Sequence, residues 1–413
     1  MARVVIIGAG WGGQGVCKAL SEASLPADTS VTCIDSASSL EVGATWQFEL
    51  EGRAKPVAVA LAESVAAPYL KKGRVASVEY DDKVITLDGG ETVAYDHLVL
   101  ACGAVSDASS VPGLAEHAVD LSTRGFAAPI AAFVDGLAPG AETKKTVLVA
   151  VAKTPYKCPP LPFEVAFLLD AMARKRGARD ALDIVVTCPV PWPFGGPKAK
   201  EAFTAAMRDK GISYRPNLSV TRVDGGATKV AYYAPPADGA GPVEPVAADL
   251  VLAVFPHRAP DFVDAALLNP KGSIPVDFRT NRVTKGDHID LYAVGDACAA
   301  MLPLETPTPI PKAGEFAYKA GLAVGQALAA EINGDDVPVP KARSAKCVAE
   351  AGGGAGIVVG PNFDAIFADP ANGKPKFIIE PSVGGTTDKV AWIQGFLDTF
   401  HSGTAPTFAP VVA

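Results

Sequence analysis

The segment Gly8-Ala9-Gly10-Trp11-Gly12-Gly13 decides the fold, because it joins an apolar run to a helical one. The apolar run, Arg3 to Ile7, is typical of a buried parallel strand. Gly8 permits a tight turn, Gly10 lets a pyrophosphate approach the backbone, and Gly13 lets strand and helix pack closely. The N-terminus of the following helix offers free N–H groups to phosphates. The segment therefore predicts a dinucleotide-binding loop.

Further alternation of strands and helices extends this fold along the chain. Asp35 ends a second apolar strand, Val31 to Ile34, where a carboxylate accepts hydrogen bonds from ribose hydroxyls. A small antiparallel insert is predicted at 75–94, and helices at about 13–24, 163–176, 198–210, 316–332 and 390–400. We expect an α/β fold with two Rossmann-type domains, the second inserted in the first, and a C-terminal α+β domain. The predicted boundaries are 1–115 with 285–335, 116–284, and 336–413.

Composition limits the classes of function. Of the 413 residues, 49% are hydrophobic and 20% are charged, which excludes a disordered chain. The net charge is −8 and no basic stripe offsets it, which argues against a nucleic-acid partner. The seven cysteines form no C-x-x-C pair and the five histidines have no ligand spacing, so no metal is expected.

Location in the cell is constrained only weakly by the sequence. No apolar run is long enough to span a bilayer. The first strand begins at Arg3, so no signal peptide is expected in this chain. We expect a cytoplasmic or peripheral membrane protein, or a processed periplasmic or organellar form. A homodimer stays open.

Two further motifs identify the dinucleotide by resemblance. Leu291-Tyr292-Ala293-Val294-Gly295-Asp296-Ala297-Cys298 resembles the second FAD fingerprint of the two-dinucleotide-binding-domain flavoproteins. In that family the aspartate, here Asp296, binds the ribityl chain of FAD. Leu98-Val99-Leu100-Ala101-Cys102-Gly103-Ala104 resembles the family's middle motif, with Cys102 where Thr is usual. The resemblance implies FAD as the cofactor and adds Gly103, Gly295 and Asp296 to its site.

The second β–α unit lacks the glycine loop that a nicotinamide cofactor would need. After the strand at 146–152 the chain reads Lys153-Thr154-Pro155-Tyr156-Lys157-Cys158-Pro159-Pro160-Leu161-Pro162-Phe163-Glu164. No glycine allows close approach of a phosphate, and the prolines remove backbone donors. We interpret this as loss of the NAD(P)H site.

The segment Tyr156 to Glu164 resembles the K-C-P-P-A-P-[FY]-E segment of sulfide:quinone oxidoreductases and of the flavoprotein subunit of flavocytochrome c sulfide dehydrogenase. In that family the cysteine, here Cys158, is redox-active, and its partner falls at Cys347. Pro309-Ile310-Pro311-Lys312-Ala313-Gly314 resembles the segment that passes the flavin ring. The resemblance implies that Lys312 lies near the pyrimidine edge of the ring, although a solvated lysine is the plain alternative.

Local chemistry is compatible with a reactive thiol at Cys158. A helix that Pro162 can start follows it, and the helix dipole and Lys157 would both favour thiolate. Glu164, in the first turn, could move a proton. An inert loop cysteine and an ordinary helix acid are the alternatives.

The resemblance implies FAD-dependent oxidation of sulfide, or of a related thiol or persulfide, through a disulfide of Cys158 and Cys347. Electrons would pass through FAD to a quinone or a cytochrome. No cysteine lies between Cys102 and Cys158, and 40–50 contains none, which departs from the third redox cysteine and the covalent flavin link of some members. The alternatives are a type II NADH:quinone oxidoreductase relative and a non-catalytic flavin-binding protein that serves redox sensing or assembly.

The apolar stripe at 390–400 has two interpretations. Core or dimer packing is the commoner origin of such spacing, and a membrane or quinone site is the other.

Overall fold

A parallel sheet of five strands carries the N-terminal part of the fold. The computed structural model describes residues 2–191, 196–235, 243–340 and 342–410. The strand Arg3–Ile7 is central and pairs on one side with His97–Leu100 and on the other with Ser30–Asp35. Leu291–Ala293 and Leu70–Lys72 complete the two edges. Since the segment near 291 returns to this sheet, the first sheet is built from distant parts of the chain, as the sequence predicts.

A second parallel sheet of five strands follows the same pattern. Its order is Val119–Asp120, Leu250–Val254, Lys145–Val151, Leu182–Cys188 and Ser213–Pro216. The central strands are apolar and almost completely buried, as expected of a sheet covered on both faces. With the first sheet, this confirms the predicted α/β class with Rossmann-type domains. The predicted domain boundaries stay a prediction.

Smaller sheets complete the architecture, and they are antiparallel except for the parallel pair Ile274–Val276 and Cys298–Leu302. The predicted insert consists of Val75–Glu79, Val84–Leu87 and Thr92–Ala94. The C-terminal sheet consists of Cys347–Gly352, Ala355–Asn362 and Lys376–Ser382. The remaining strands are Ser39–Glu41 with Ala58–Ala60, Val105–Ser106 with His257–Arg258, Val220–Asp224 with Lys229–Tyr233 and Val246–Ala248, and Ile274–Val276 with Cys298–Leu302 and Thr308–Pro309.

Eight α-helices lie within the described ranges. They are α1 Trp11–Glu22, α2 Leu114–His117, α3 Ala127–Asp135, α4 Leu161–Lys175, α5 Gly196–Asp209, α6 Gly314–Asn333, α7 Asp364–Ala368 and α8 Gly385–Phe400. The helix α4 begins two residues before its predicted start, because Pro162 fits the first turn, where no backbone N–H is needed. No helix of the described residues is long and apolar enough to cross a membrane.

Close packing of α1 against α6 fixes one wall of the future site. A Cβ atom on Gly321 would lie 2.0 Å from the carbonyl oxygen of Gly12, and one on Gly15 would lie 2.2 Å from that of Tyr318. Glycine at these contacts lets the two helix backbones touch, so the N-termini of both helices stay side by side.

The apolar stripe of α8 packs inside the protein. Ile393, Leu397 and Phe400 are fully buried, and the ring of Trp11 meets the rings of Phe396 and Phe400 edge-on at 4.5 and 4.8 Å. The C-terminal helix is therefore fastened to the start of α1, which supports the core-packing interpretation of this stripe.

Candidate functional site

A cavity of about 450 Å³ lies where the first sheet, α1, α4, α6 and the C-terminal sheet meet. Every site residue predicted from the sequence lines it, with the exception of Gly13. The predicted residues brought together are Gly8, Gly10, Asp35, Gly103, Cys158, Glu164, Gly295, Asp296, Lys312 and Cys347. Parallel strands of an open α/β sheet place ligands at their carboxyl ends, and the cavity has this position.

The glycine loop has the geometry of a phosphate cradle. Gly8 has φ +103°, and a Cβ atom there would lie 2.4 Å from the carbonyl oxygen of Ala101. A Cβ atom on Gly10 would meet nothing within 4 Å, so this residue leaves open space at the start of α1. Gly13 allows α1 to pack closely against the loop, because a Cβ atom at this position would lie 1.9 Å from the carbonyl oxygen of Gly8. The free N–H groups of the helix start and the open approach fit a pyrophosphate.

Asp35 is fixed at the edge of the cavity by two backbone donors. Its carboxylate accepts hydrogen bonds from the N–H groups of Ala9 and Ala37, each at 2.7 Å. The oxygens keep further lone pairs for ribose hydroxyls. The donor set of loop and carboxylate therefore fits a dinucleotide.

Lys312 is held at the opposite wall rather than free in solvent. Its Nζ atom donates to the carbonyl oxygen of Asp296 and, at 3.0 Å, to that of Cys298. Gly295, with φ +76°, makes the turn that presents these carbonyls. Two backbone carbonyls thus fix the position of the ammonium group in the cavity wall, as expected of a group that contacts a bound cofactor.

Cys158 is anchored to the same wall. Its N–H donates to the carbonyl oxygen of Lys312 at 3.0 Å, and its own carbonyl accepts from the N–H of Leu161, the first residue of α4, at 3.0 Å. Cys158 has φ +54°, a left-handed conformation that is uncommon for a residue with a side chain. The proline-rich loop therefore folds against the cofactor wall in the place where a nicotinamide-binding protein has a glycine turn.

Thiol acidity differs from the sequence-based expectation. Burial and the carboxylate of Glu164 together raise the pKa of Cys158 to about 11, against the smaller opposing effects of Lys389 and Lys157. Burial also raises the pKa of Cys347, and the nearby Cys158 adds to this effect. The helix start and Lys157 are outweighed by desolvation, so both groups are thiols at neutral pH. All seven cysteines are unpaired in the structure.

Glu164 is the centre of a buried cluster that the sequence did not reveal. Only 2% exposed, it accepts hydrogen bonds from Nζ of Lys389, from Nε2 of Gln47 at 3.1 Å and from the N–H of Glu350 at 3.0 Å. Burial raises the pKa of Glu164, and Lys389, itself 1% exposed, opposes this rise. Lys389, Gln47 and Glu164 line the cavity beside Cys158.

A second ion pair supports the first. Arg53 makes a two-pronged contact with Glu350, with Nη1 to Oε1 at 2.7 Å and Nη2 to Oε2 at 2.9 Å, and Thr386 donates to Oε1 at 2.7 Å. These bonds hold the pKa of Glu350 below its ordinary value despite burial. We call Glu164, Lys389, Gln47, Glu350, Arg53 and Thr386 the Glu164 cluster. One signal was present in the sequence, because Lys389 occupies a position of the apolar stripe of α8, four residues before Ile393.

Two tryptophans, Trp46 and Trp392, line the cavity. The Nε1 atom of each is buried and has no hydrogen-bond partner among the described residues. Because these atoms have almost no exposed surface, the two residues offer the cavity apolar ring surface rather than a donor.

Comparisons with known proteins agree with this geometry. Residues 2–128 match the family described as pyridine nucleotide-disulphide oxidoreductase. The chain is 27% identical over 234 residues to an NADH dehydrogenase-like protein of Mycobacterium tuberculosis, covering 55% of this chain and 58% of that protein. It is 25% identical over 234 residues to the mitochondrial sulfide:quinone oxidoreductase of Mus musculus, covering 54% and 49%. The matched regions thus span about half the length of these curated relatives.

The fold extends the likeness to the whole chain. The crystal structure of sulfide:quinone oxidoreductase from Aquifex aeolicus superimposes with a TM-score of 0.78, at 19% sequence identity, over 97% of this chain and 91% of that one. At this level of identity the likeness shows the fold, and the glycine loop, Asp35 and Asp296 of the cavity fit FAD. The fold is the one expected from the sequence resemblance to sulfide:quinone oxidoreductases.

Proposed function

We propose that the protein oxidises sulfide, or a related thiol or persulfide, through Cys158 and Cys347, and that electrons pass by FAD to a quinone or a cytochrome. One observation carries the proposal. The N–H of Cys158 donates a hydrogen bond to the carbonyl oxygen of Lys312 at the cofactor cavity, and Cys347 lines the same cavity. The loop that a nicotinamide would need is replaced by this cysteine-bearing loop.

The chemistry follows from a disulfide form of the cysteine pair. Hydrosulfide attacks one sulfur, so that a persulfide forms on one cysteine and the other is released as a thiolate. A second hydrosulfide removes the outer sulfur and leaves a thiol. Bound FAD supplies the two-electron acceptor that lets the pair return to the disulfide.

Glu164 is the proton acceptor that we propose for this cycle. Because both cysteines are thiols at neutral pH, each return to the disulfide releases protons from a buried place. Glu164 is the carboxylate whose charge acts on Cys158, and Lys389 holds it in the cavity wall. A base whose pKa is raised by burial is better matched to this task than an exposed carboxylate.

The two tryptophans bear on the choice of electron acceptor. Trp46 and Trp392 line the cavity, and their rings supply apolar contact for a planar electron acceptor. This supports a quinone over a cytochrome as acceptor. Steady-state rates with decylubiquinone and with cytochrome c, under the same sulfide concentration, would separate the two.

Anaerobic titration with sulfide tests the donor side. Sulfide should bleach the flavin absorbance of the wild-type holoprotein, and Cys158→Ser and Cys347→Ser should each abolish the bleaching. Cys17→Ala, a buried cysteine in α1 away from the cavity lining, is the matched control and should bleach like wild type. Bleaching that survives both serine substitutions would refute the cysteine mechanism.

A second candidate is oxidation of NADH, because the Mycobacterium tuberculosis relative is named NADH dehydrogenase-like. Rapid anaerobic reduction of the flavin by NADH, unaffected by Cys158→Ser, would establish it in place of sulfide oxidation. A holoprotein that neither donor reduces would favour the third alternative, a flavin-binding protein without this catalysis.

A further inference from the structure

A second, small cavity of about 30 Å³ adjoins the large one. It shares Gly295, Asp296, Lys312, Ala313 and Ala317 with the large cavity, and it extends to Asn281, Cys298 and Arg343, which the large cavity does not reach. A cavity of about 10–15 Å³ is enough to hold one water. The small cavity therefore has room for one or two waters or for one small ion.

Arg343 is a buried cation in this cavity that lacks an acidic partner. It is 2% exposed, and its two Nη atoms donate to one oxygen, Oδ1 of Asn281, at the long distance of 3.5 Å each. The guanidinium carbon lies 4.9 Å from the ring centre of Phe367. No carboxylate pairs with it among the residues for which side chains are described. Burial lowers its pKa to about 10, so it keeps its charge at neutral pH.

The neighbouring charges do not neutralise Arg343. Asp296 and Lys312 both line the cavity and carry opposite charges, and Lys312 donates to the carbonyl oxygen of Asp296. Cys298, whose Sγ atom lies 3.3 Å from the carbonyl oxygen of Gly295, has a pKa raised to about 11 by burial and is a thiol. One positive charge is left over in the interior, and an unpaired buried ion costs several kcal/mol.

We propose that the small cavity binds one small monovalent anion, of the size of chloride or hydrosulfide, against Arg343. The guanidinium group supplies donors that its long bonds to Asn281 leave poorly used, and Lys312 supplies a further N–H. The site is separate from the thiol chemistry of Cys158, because its ligands are Arg343 and Lys312 and it requires no turnover.

Bromide tests the site in the holoprotein. Crystals of the wild-type holoprotein in sodium bromide should show an anomalous peak within hydrogen-bond distance of Arg343. In solution, bromide at 100 times its dissociation constant should raise the folding equilibrium constant about 100-fold relative to sodium gluconate at equal ionic strength. Arg343→Gln should lose this bromide-specific gain, and Arg343→Lys, which keeps the charge, should retain part of it.

Three results would overturn the proposal. They are a water in the cavity with no anomalous peak, an edge of FAD filling the cavity, and an equal bromide response of wild type and Arg343→Gln. A competition in the Cys158→Ser holoprotein distinguishes the sources of the anion. Loss of the bromide peak on addition of hydrosulfide assigns the site to hydrosulfide, and a peak that persists assigns it to halide. The crystal measurement does not depend on whether sulfide is the substrate.

Discussion

Replacing Lys389 by methionine should make the stability of the protein fall steeply as the pH rises. Lys389 contributes the only ammonium group that the described structure shows bonded to Glu164. Methionine is similar in length and apolar, so the packing of α8 against the core is retained. The variant leaves a buried carboxylate with only two neutral donors, Gln47 and the N–H of Glu350.

The magnitude follows from the cost of an unpaired buried charge. Removing one partner of a buried ion pair costs about 3–5 kcal/mol. Glu164 can avoid this by taking a proton, and one pKa unit corresponds to about 1.36 kcal/mol. The pKa of Glu164, already raised by burial in the wild type, should therefore rise further in the variant.

The direction of the pH effect follows from the two protonation states. In the unfolded chain Glu164 titrates near its ordinary pKa of about 4.3, and in the folded variant it titrates well above it. In the variant, the contribution of Glu164 to the free energy of unfolding is therefore fully present below about pH 4.3. It is lost as the pH rises towards the pKa of Glu164 in the folded variant. We expect Lys389→Met to cost about 3–5 kcal/mol at pH 8 and clearly less at pH 5.5, where Glu164 of the folded variant is protonated.

Urea denaturation of the holoprotein, followed by far-UV circular dichroism at both pH values, measures this difference. The matched control is the double variant Lys389→Met/Glu164→Gln, which has no ionisable group at this place and should lose the extra pH dependence. An equal loss for Lys389→Met at pH 5.5 and pH 8 would refute the assignment of the effect to Glu164.

Three further predictions concern the loop and the second ion pair. Gly13→Ala should weaken FAD binding by about 5- to 150-fold, because overpacking against the Gly8 carbonyl costs about 1–3 kcal/mol; FAD titration of the apoprotein measures it, and unchanged affinity would contradict the close approach. Asp35→Asn should also weaken FAD binding, since the amide brings donors to a place that faces two N–H groups; a dissociation constant equal to wild type would argue against a cofactor role. Arg53→Met should lower the free energy of unfolding by about 3–5 kcal/mol, and adding Glu350→Gln should restore most of it; a double variant as unstable as the single one would show that packing dominates.

Local signals were sufficient for the loop and the order of elements. The glycine segment 8–13, Asp35 and the motif at 291–298 can each be recognised within a few residues, and residues from all three line the cavity. The antiparallel insert at 75–94 also agrees, because alternation and a glycine turn are short-range patterns.

Long-range electrostatics could not be predicted in the same way. The partners of Glu164 lie 117 residues away at Gln47 and 225 residues away at Lys389, and nothing near either residue indicates the contact. The raised pKa of Cys158 depends on burial, which the local view of a helix start and a neighbouring Lys157 does not contain. The sequence thus indicates which residues meet at the cavity but not the charge state in which they meet.

The Glu164 cluster also joins three parts of the chain that are far apart in the sequence. Its members come from the segment 47–53, from α4 and from the segment 350–389, and each acid depends on a base from a different one of these parts. A chain shortened before α8 would lose both Lys389 and the aromatic rings that cover Trp11 at the start of α1. The C-terminal helix therefore ties the thiol site to the first residues of the dinucleotide-binding helix.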